Sequence, residues 1–189
     1  EAGRKIVAAG ITLSEYVMPG LGGKRWSQKH ALDTAHVLNE IGKVDFIRLR
    51  SLIVRKTTPL FEKLIEGDFV QLSEDEMVEE ERLFVSNLNC EAQLVSDQMS
   101  NLLWEVEGKL PQDKEAILGA IDSYRNMNEF DKLEFRLQRR AGSYTAVYGS
   151  LGGHVGELVR EAFALIRAKS PEAAEKTEGA IAALKQRFV

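Results

Sequence analysis

Residues 13–23, with the sequence LSEYVMPGLGG, restrict the fold of this chain more than any other stretch. The segment reads as a short strand that runs into a glycine-rich turn, after which a helix begins. Glycine has no Cβ and tolerates positive φ, so such a turn lets the backbone approach a ligand closely. In α/β folds, ligands commonly bind at the carboxyl ends of parallel strands. The segment is therefore a candidate ligand-binding turn at the end of a strand, and the strand and helix patterns that follow it favour an α/β fold.

Strand and helix patterns alternate along the first two thirds of the chain. Ser27 is predicted to cap the second helix, Thr58-Pro59 to begin a short one that Gly67 ends, and Ser73 with Glu76 to form a capping box. The predicted strands cover residues 11–18, 44–54 and 91–97, and the predicted helices cover residues 1–10, 26–41, 58–67, 73–88 and 100–107, with another from Pro111. This alternation favours parallel strands with right-handed helical crossovers.

Three strands do not close a barrel, so the predicted sheet is open and curved, with one exposed edge where further strands would pair. We therefore expect the chain either to associate with itself or to be marginally stable. The tail differs, because residues 130–140, 154–169 and 171–188 are amphipathic helical stretches, divided by Gly142 and by residues 149–153. The second of these stretches carries an apolar stripe formed by Val155, Leu158, Val159, Ala162, Leu165 and Ile166. This stripe needs a partner surface.

The composition is that of an ordinary folded protein with one domain, or one domain and an appendage. Hydrophobic residues make up 44% of the 189 residues, which is enough for a sizeable core. A net charge of −4 gives no sign of a basic face, so no nucleic-acid partner is expected. No apolar run approaches the roughly 18 residues of a membrane span, and no signal peptide is visible, so no membrane association is expected. The single cysteine, Cys90, favours a reducing, cytoplasmic location.

A set of segments in order carries a family resemblance over residues 1–127. They are SEYVMPGLGG, HALDTAHVLNEI, DFIRLRSLIV, TPLFEKL, LSEDEMVEEERLFV and VSDQMSNLLWEVEGKLPQDK. Together they resemble the carboxyl-terminal half of the barrel of radical S-adenosylmethionine (radical SAM) enzymes, closest to the oxygen-independent coproporphyrinogen oxidase-like group. The resemblance implies a partial (βα) barrel sector with about three parallel strands over residues 1–127. Residues 128–189 carry no such resemblance and are expected to form a helical extension.

The resemblance also implies cofactors. The whole protein would bind S-adenosylmethionine and a 4Fe-4S cluster, cleave S-adenosylmethionine reductively, and use the resulting radical on a small-molecule substrate. The family's cluster motif, CxxxCxxC, is absent from this sequence. We therefore expect a piece of a longer protein whose missing amino-terminal half holds the cluster. The piece itself is expected to hold neither cofactor alone, and to have no catalytic activity alone.

The resemblance names four residues of the opening segment. Val17, Met18, Gly20 and Gly22 are expected to contribute to S-adenosylmethionine binding, mostly through backbone and apolar contacts. The alternative is a tight strand-to-helix turn with no ligand.

Strand periodicity names a second set of residues. Successive side chains of a strand point to opposite faces, so Arg48 and Arg50 share one face of the second strand. In a barrel these arginines would point into the lumen, where Glu15 and Asp97 are expected to join them. Arginine suits anionic substrate groups, since a guanidinium grips a carboxylate with two hydrogen bonds. The alternative is a purely structural salt-bridge network.

The histidines, the cysteine and the acidic run are interpreted as surface or structural residues. His30 and His36 lie six apart, so they do not form an i, i+4 metal pair, and both are expected at the surface. His154 follows two glycines at a helix start, which is weak evidence for an anion site. Cys90 is expected to be structural, and the acidic run at residues 74–81 is explained by its place at a helix start. No metal site is expected, and no catalytic residue is identified.

Two functions therefore stand at this point. The first is a fragment of a radical SAM enzyme that contributes part of the adenosylmethionine pocket and the substrate-side barrel wall. The alternative is a non-catalytic binding or assembly module that uses the apolar face of the tail helices.

Overall fold

The computed structural model describes residues 1–188 and divides the chain into two compact units, Glu1–Arg125 and a second unit that begins at Asn126. The first unit contains α1 (Ala2–Ala8), β1 (Ser14–Val17), α2 (Gly23–Ile41), β2 (Lys43–Leu49), α3 (Pro59–Glu66), α4 (Glu74–Asn87), β3 (Glu91–Val95), β4 (Gly108–Leu110) and α5 (Lys114–Arg125). The second contains α6 (Glu129–Tyr148), α7 (Gly153–Arg167) and α8 (Ala173–Lys185). None of the helices within residues 1–188 combines the length and the apolar character that a membrane span requires.

The first unit has a mixed α/β fold around one open sheet in the order β1-β2-β3-β4. Strands β1, β2 and β3 are parallel, as their helical connections predict, and β4 pairs antiparallel with β3. An open and mostly parallel sheet is therefore confirmed. The fourth strand was missed, because its three residues contain a glycine and are too few to show an alternation pattern.

The two faces of this sheet differ in composition. In the register of β1 and β2, Glu15 pairs with Ile47 and Val17 with Leu49, while Tyr16 pairs with Arg48. Ile47 and Leu49 are fully buried on the face that packs against the helices. The other face carries Arg48 and the aromatic ring of Tyr16. The side chains on one face thus form part of the hydrophobic core, and the other face carries polar and aromatic side chains.

Local signals explain where several helices begin and end. At the start of α4, the Ser73 hydroxyl accepts the Glu76 N–H at 3.2 Å and the Glu76 carboxylate accepts the Ser73 N–H at 2.8 Å, which confirms the capping box. Pro59 occupies the first turn of α3. Gly67 ends that helix with a left-handed φ of 83°.

Four local predictions were wrong. Ser27 lies inside α2, which begins at Gly23, and it does not cap the helix. Residues 100–107 form turns and irregular structure instead of a helix. Strand β2 ends at Leu49, so the rest of the predicted strand is a loop. Gly142 lies inside α6, which continues to Tyr148, because a single glycine costs a helix only about 1 kcal/mol.

The second unit is a three-helix arrangement with a core of its own. Helix α7 packs against α8, and α6 packs against both. The Asn128 side chain caps α6 by accepting the Asp131 N–H at 3.1 Å. The core contains Leu133, Leu137, Val159, Ala162, Ile166, Ala180, Ile181 and Leu184. Three members of the predicted α7 stripe are therefore buried, and Val155, Leu158 and Leu165 are half-buried.

Candidate functional site

Six side chains lie on the sheet face opposite the helices, and five of them lie toward the carboxyl ends of the parallel strands. We call this group the open face, and it consists of Tyr16, Met18, Phe46, Arg48, Arg50 and Asp97. The register places Tyr16 beside Arg48, and period-two alternation extends this face to Met18, Arg50 and Asp97. Tyr16 is 67% exposed and Met18 39% exposed. The open face is therefore accessible surface, although it lies beside a well-packed core.

Arg48 and Arg50 meet at one carboxylate on the open face. Nη1 of Arg50 donates to Oδ1 of Asp97 at 3.0 Å, and Nη1 of Arg48 lies 3.5 Å from Oδ2. The side chains of Arg48 and Arg50 are 28% and 24% exposed, while that of Asp97 is 53% exposed. Two guanidinium charges thus face one exposed carboxylate, which leaves the group with a net positive charge. The structure brings together three of the four charged residues expected there.

Aromatic rings hold the two guanidinium groups over the sheet. The Arg50 guanidinium carbon lies 5.2 Å from the centre of the Tyr16 ring, and that of Arg48 lies 5.1 Å from the centre of the Phe46 ring. Contacts of this kind are worth about 0.5–1 kcal/mol at exposed sites. The rings therefore favour one position for each cation.

Glu15 lies apart from this group. Its register partner is Ile47, whose side chain is fully buried against the helices, so Glu15 belongs to the opposite face from Arg48. Glu15 was expected in the lumen only from its position on the first strand. The side-chain direction, however, follows from the pairing register, which a single strand does not reveal.

The glycine-rich turn after β1 is shaped by contacts within the protein. Gly20 has a φ of 86°, and an added Cβ would lie 2.9 Å from Cε of Met77. At Gly22 an added Cβ would lie 3.0 Å from the Trp26 backbone. The space that these glycines leave is thus filled by the chain's own atoms. Internal packing explains both glycines without a ligand.

Of the four residues that the resemblance assigned to this turn, Met18 alone has an exposed side chain. Val17 is buried, and its carbonyl oxygen accepts the Arg50 N–H at 2.9 Å. Gly20 is buried, and Gly22 is half-buried at the rim of a shallow cavity of about 370 Å³. Any contact between these four residues and a ligand therefore involves the Met18 side chain or the backbone, and Leu21 is a further exposed side chain of the turn.

The Glu80 side chain, on α4, holds the turn in place through hydrogen bonds, and this role was not identified in the sequence analysis. Its carboxylate accepts the Gly20 N–H at 2.8 Å, lies 2.9 Å from Nδ1 of His30, and accepts the Ser27 hydroxyl. The Glu80 side chain is 2% exposed, so these three contacts satisfy a buried carboxyl group. A signal was present, since Glu80 lies three residues after Met77 and four before Phe84, on the apolar side of α4.

A second buried group links the loops that follow β2 and β3. The Asn101 side chain accepts the Ser51 N–H at 2.9 Å, and its amide donates to the Leu49 carbonyl oxygen at 3.0 Å and to Oγ of Ser96 at 3.1 Å. Oγ of Ser96 in turn donates to the Leu103 carbonyl oxygen at 2.7 Å. These bonds fix the loops directly next to Arg50 and Asp97. The sequence placed this stretch in a helix and so missed the group.

The histidines and the cysteine considered in the sequence analysis lie away from the open face or are buried. His36 and His154 are exposed, whereas His30 is mostly buried beside Glu80, so the expectation of a surface position was wrong for His30. Cys90 is buried, and this burial raises the pKa of its thiol. Within residues 1–188, no group of three or more histidine, cysteine, aspartate or glutamate residues is arranged to hold a metal ion.

Three comparisons of this chain with known proteins found no match. No protein-family model, no curated protein and no solved structure matches this chain.

Proposed function

We propose that this chain is part of a radical SAM enzyme and contributes a sector of its barrel, part of the adenosylmethionine pocket and the substrate-side wall. One observation carries the proposal. Parallel strands β1, β2 and β3 have their helices on one face, and Arg48, Arg50, Asp97 and Met18 gather at their carboxyl ends on the other. In (βα) barrels the active site lies at that end of the strands.

The sheet is compatible with a partial barrel. Strand β1 is the last strand on one side of the sheet, so an edge is open to pairing. In the proposal the missing amino-terminal half of the same protein supplies the strands that pair there. At the opposite edge of the sheet, the short strand β4 pairs antiparallel with β3, so the parallel part of the sheet ends at β3. The proposed location is the reducing cytoplasm, which the single cysteine favours.

S-adenosylmethionine fits the turn only in part. In the proposal the Met18 side chain and the backbone of the turn contact this ligand, while Val17, Gly20 and Gly22 give the turn its shape. When bound at a reduced 4Fe-4S cluster, S-adenosylmethionine supplies a radical that acts on the substrate. This chain's part is to present Met18 on a turn that Glu80 holds in place, and to present two cations to the substrate.

The cluster does not fit this chain. A cluster of this type needs several cysteine thiolates, and Cys90 is one buried thiol with a raised pKa. The proposal therefore assigns the cluster to the amino-terminal half and derives no step through it here.

The alternative function is a binding or assembly module. It depends on an exposed apolar face on the tail helices, but Val159, Ala162 and Ile166 are buried in the second unit. Less apolar surface is therefore left for a partner than the sequence suggested. This observation favours the enzyme fragment.

The test is S-adenosylmethionine affinity in the longer protein that the proposal requires. Met18→Asp places a charge where an apolar contact is proposed, so we expect affinity to fall about tenfold or more. Leu32→Asp is the matched control, because Leu32 is 43% exposed and Met18 39%. Glycine substitutions are unsuitable, since the φ of 86° at Gly20 strains any residue that has a Cβ and so affects folding as well as binding. Unchanged affinity in a folded Met18→Asp variant would contradict the proposed contact between the Met18 side chain and S-adenosylmethionine.

A further inference from the structure

We infer that the open face binds a ligand with an oxyanion group on an apolar body, and that the oxyanion takes the place of Asp97 between Arg48 and Arg50. The inference rests on the proposed function only in identifying this ligand as the substrate of the proposed enzyme. The oxyanion is a carboxylate or a phosphate, since a guanidinium binds both with the same fork of N–H groups.

The spacing of the two guanidinium groups matches a single oxyanion. Both oxygens of the Asp97 carboxylate are engaged, one by each arginine, at 3.0 Å and 3.5 Å. The carboxylate therefore marks a position from which one anion contacts both cations. A ligand group at this position makes the same two contacts.

The arginines have donors to spare. A guanidinium carries five N–H groups. Besides the contacts with Asp97, the hydrogen bonds of these two side chains include one from Arg50 to the Leu49 carbonyl oxygen at 2.9 Å. Two positive charges face one negative charge, so the group carries a net positive charge that attracts an anion. The partial exposure of the site leaves a path for a ligand to enter.

The apolar body of the ligand has a surface to contact. Tyr16 and Met18 are exposed side chains of one strand end, and Arg50 lies over the Tyr16 ring. Both side chains are exposed, so they are accessible to an apolar group whose oxyanion lies at the arginines. We therefore place the oxyanion at the arginines and the body against Tyr16 and Met18.

Asp97 is the competitor in this arrangement. It is the most exposed of the three charged groups, so water screens its attraction for the arginines. Asp97→Asn removes the competing charge and leaves the shape almost unchanged. The inference therefore predicts that this variant binds an oxyanion more tightly. A structural salt bridge with no ligand predicts no such gain.

The test is a titration of the 189-residue chain with three small probes, followed through the side-chain Nε–H NMR signals of its arginines. Phenylacetate and phenyl phosphate carry the oxyanion, and phenylacetamide is the uncharged control. We expect saturable shifts at Arg48 and Arg50 with one or both anions and none with the amide. The tighter of the two anions identifies the oxyanion as carboxylate or phosphate.

Variants locate the site. Arg48→Met and Arg50→Met are expected to weaken binding about tenfold each, since each removes a charge-assisted contact. Arg25→Met is the matched control, because Arg25 also lies over an aromatic ring, that of Trp26, at 4.8 Å, but belongs to α2. If a methionine variant does not fold, Arg48→Lys and Arg50→Lys keep the charge and lose the fork, and we expect weaker binding from them as well.

The outcomes separate this inference from the proposed function. No saturable binding of either anion, equal binding of the amide, or unchanged affinity in the arginine variants would overturn the inference. Weaker binding by Asp97→Asn would overturn the displacement of Asp97. The titration needs neither S-adenosylmethionine nor a cluster. A failure of S-adenosylmethionine binding in the longer protein would therefore overturn the proposed function and leave an anion site here.

Discussion

Oε1 of Glu80 accepts the backbone N–H of Gly20 at 2.8 Å, across 60 residues of sequence. This bond joins the middle of α4 to the turn after β1. The same carboxylate also contacts Ser27 and His30 on α2. A single buried side chain therefore fixes the turn relative to two helices, and the turn's shape depends on α4 as much as on its own glycines.

We expect Glu80→Gln to destabilise the first unit by about 1–3 kcal/mol, because a buried N–H or hydroxyl loses its acceptor. The measurement is urea unfolding followed by circular dichroism. Glu66→Gln is the control, since Glu66 is exposed at the end of α3, and we expect a change within about 0.5 kcal/mol. Equal stability of Glu80→Gln and the control would show that this bond does not hold the turn.

Asn101 offers a second test, at the loops that follow β2 and β3. Asn101→Asp removes the amide donors to the Leu49 carbonyl oxygen and to Ser96, and it places a charge in a buried position. We expect a loss of about 2 kcal/mol or more in the free energy of unfolding. Asn126→Asp, at an exposed position, is the matched control. A loss no larger than the control's would contradict the role assigned to Asn101.

The ion pairs of Asp122 lead to a prediction of how the free energy of unfolding changes at acidic pH. Its carboxylate accepts hydrogen bonds from the Nε–H of Arg82 at 2.7 Å and the Nη1–H of Arg125 at 2.6 Å, and these arginines hold the pKa of Asp122 well below its ordinary value of 3.8. Because the folded pKa is below the unfolded one, this group stabilises the fold above the unfolded pKa. The contribution is lost as the pH falls below 3.8 toward the folded pKa.

The measurement is the free energy of unfolding from about pH 5 to about pH 2. We expect Asp122→Asn to be less stable than the parent at the upper end and to lose less stability as the pH falls. Asp68→Asn, at an exposed residue, should follow the parent. Parallel curves for the parent and Asp122→Asn would mean that the pKa of Asp122 does not differ between the folded and unfolded states.

Local chemistry explains which elements the sequence predicted. The capping box of Ser73 and Glu76 lies within four residues, and Pro59 and Gly67 act on the backbone at their own positions. Alternation along β2 correctly separated Arg48 and Arg50 from Ile47 and Leu49. Such features depend on short-range geometry, so a sequence reveals them directly.

The features that were missed depend on pairs distant in sequence. His30 and Glu80 meet across 50 residues, and Ser51 and Asn101 also meet across 50. Glu15 was assigned to the wrong face because its direction depends on pairing with Ile47. The apolar residues of 100–107 were taken for a helix, although Leu102 and Leu103 are buried in a loop that Asn101 holds. Tertiary contacts decide these features, and a single sequence does not list them.

We propose that this chain is part of a radical SAM enzyme. The most direct measurement is the formation of 5′-deoxyadenosine by the longer protein after anaerobic reconstitution with iron and sulfide, in the presence of S-adenosylmethionine and dithionite. We expect reductant-dependent formation of 5′-deoxyadenosine by the longer protein and none by the 189-residue chain alone. A folded longer protein that forms no 5′-deoxyadenosine would contradict this proposal, and so would a longer protein that carries no CxxxCxxC motif.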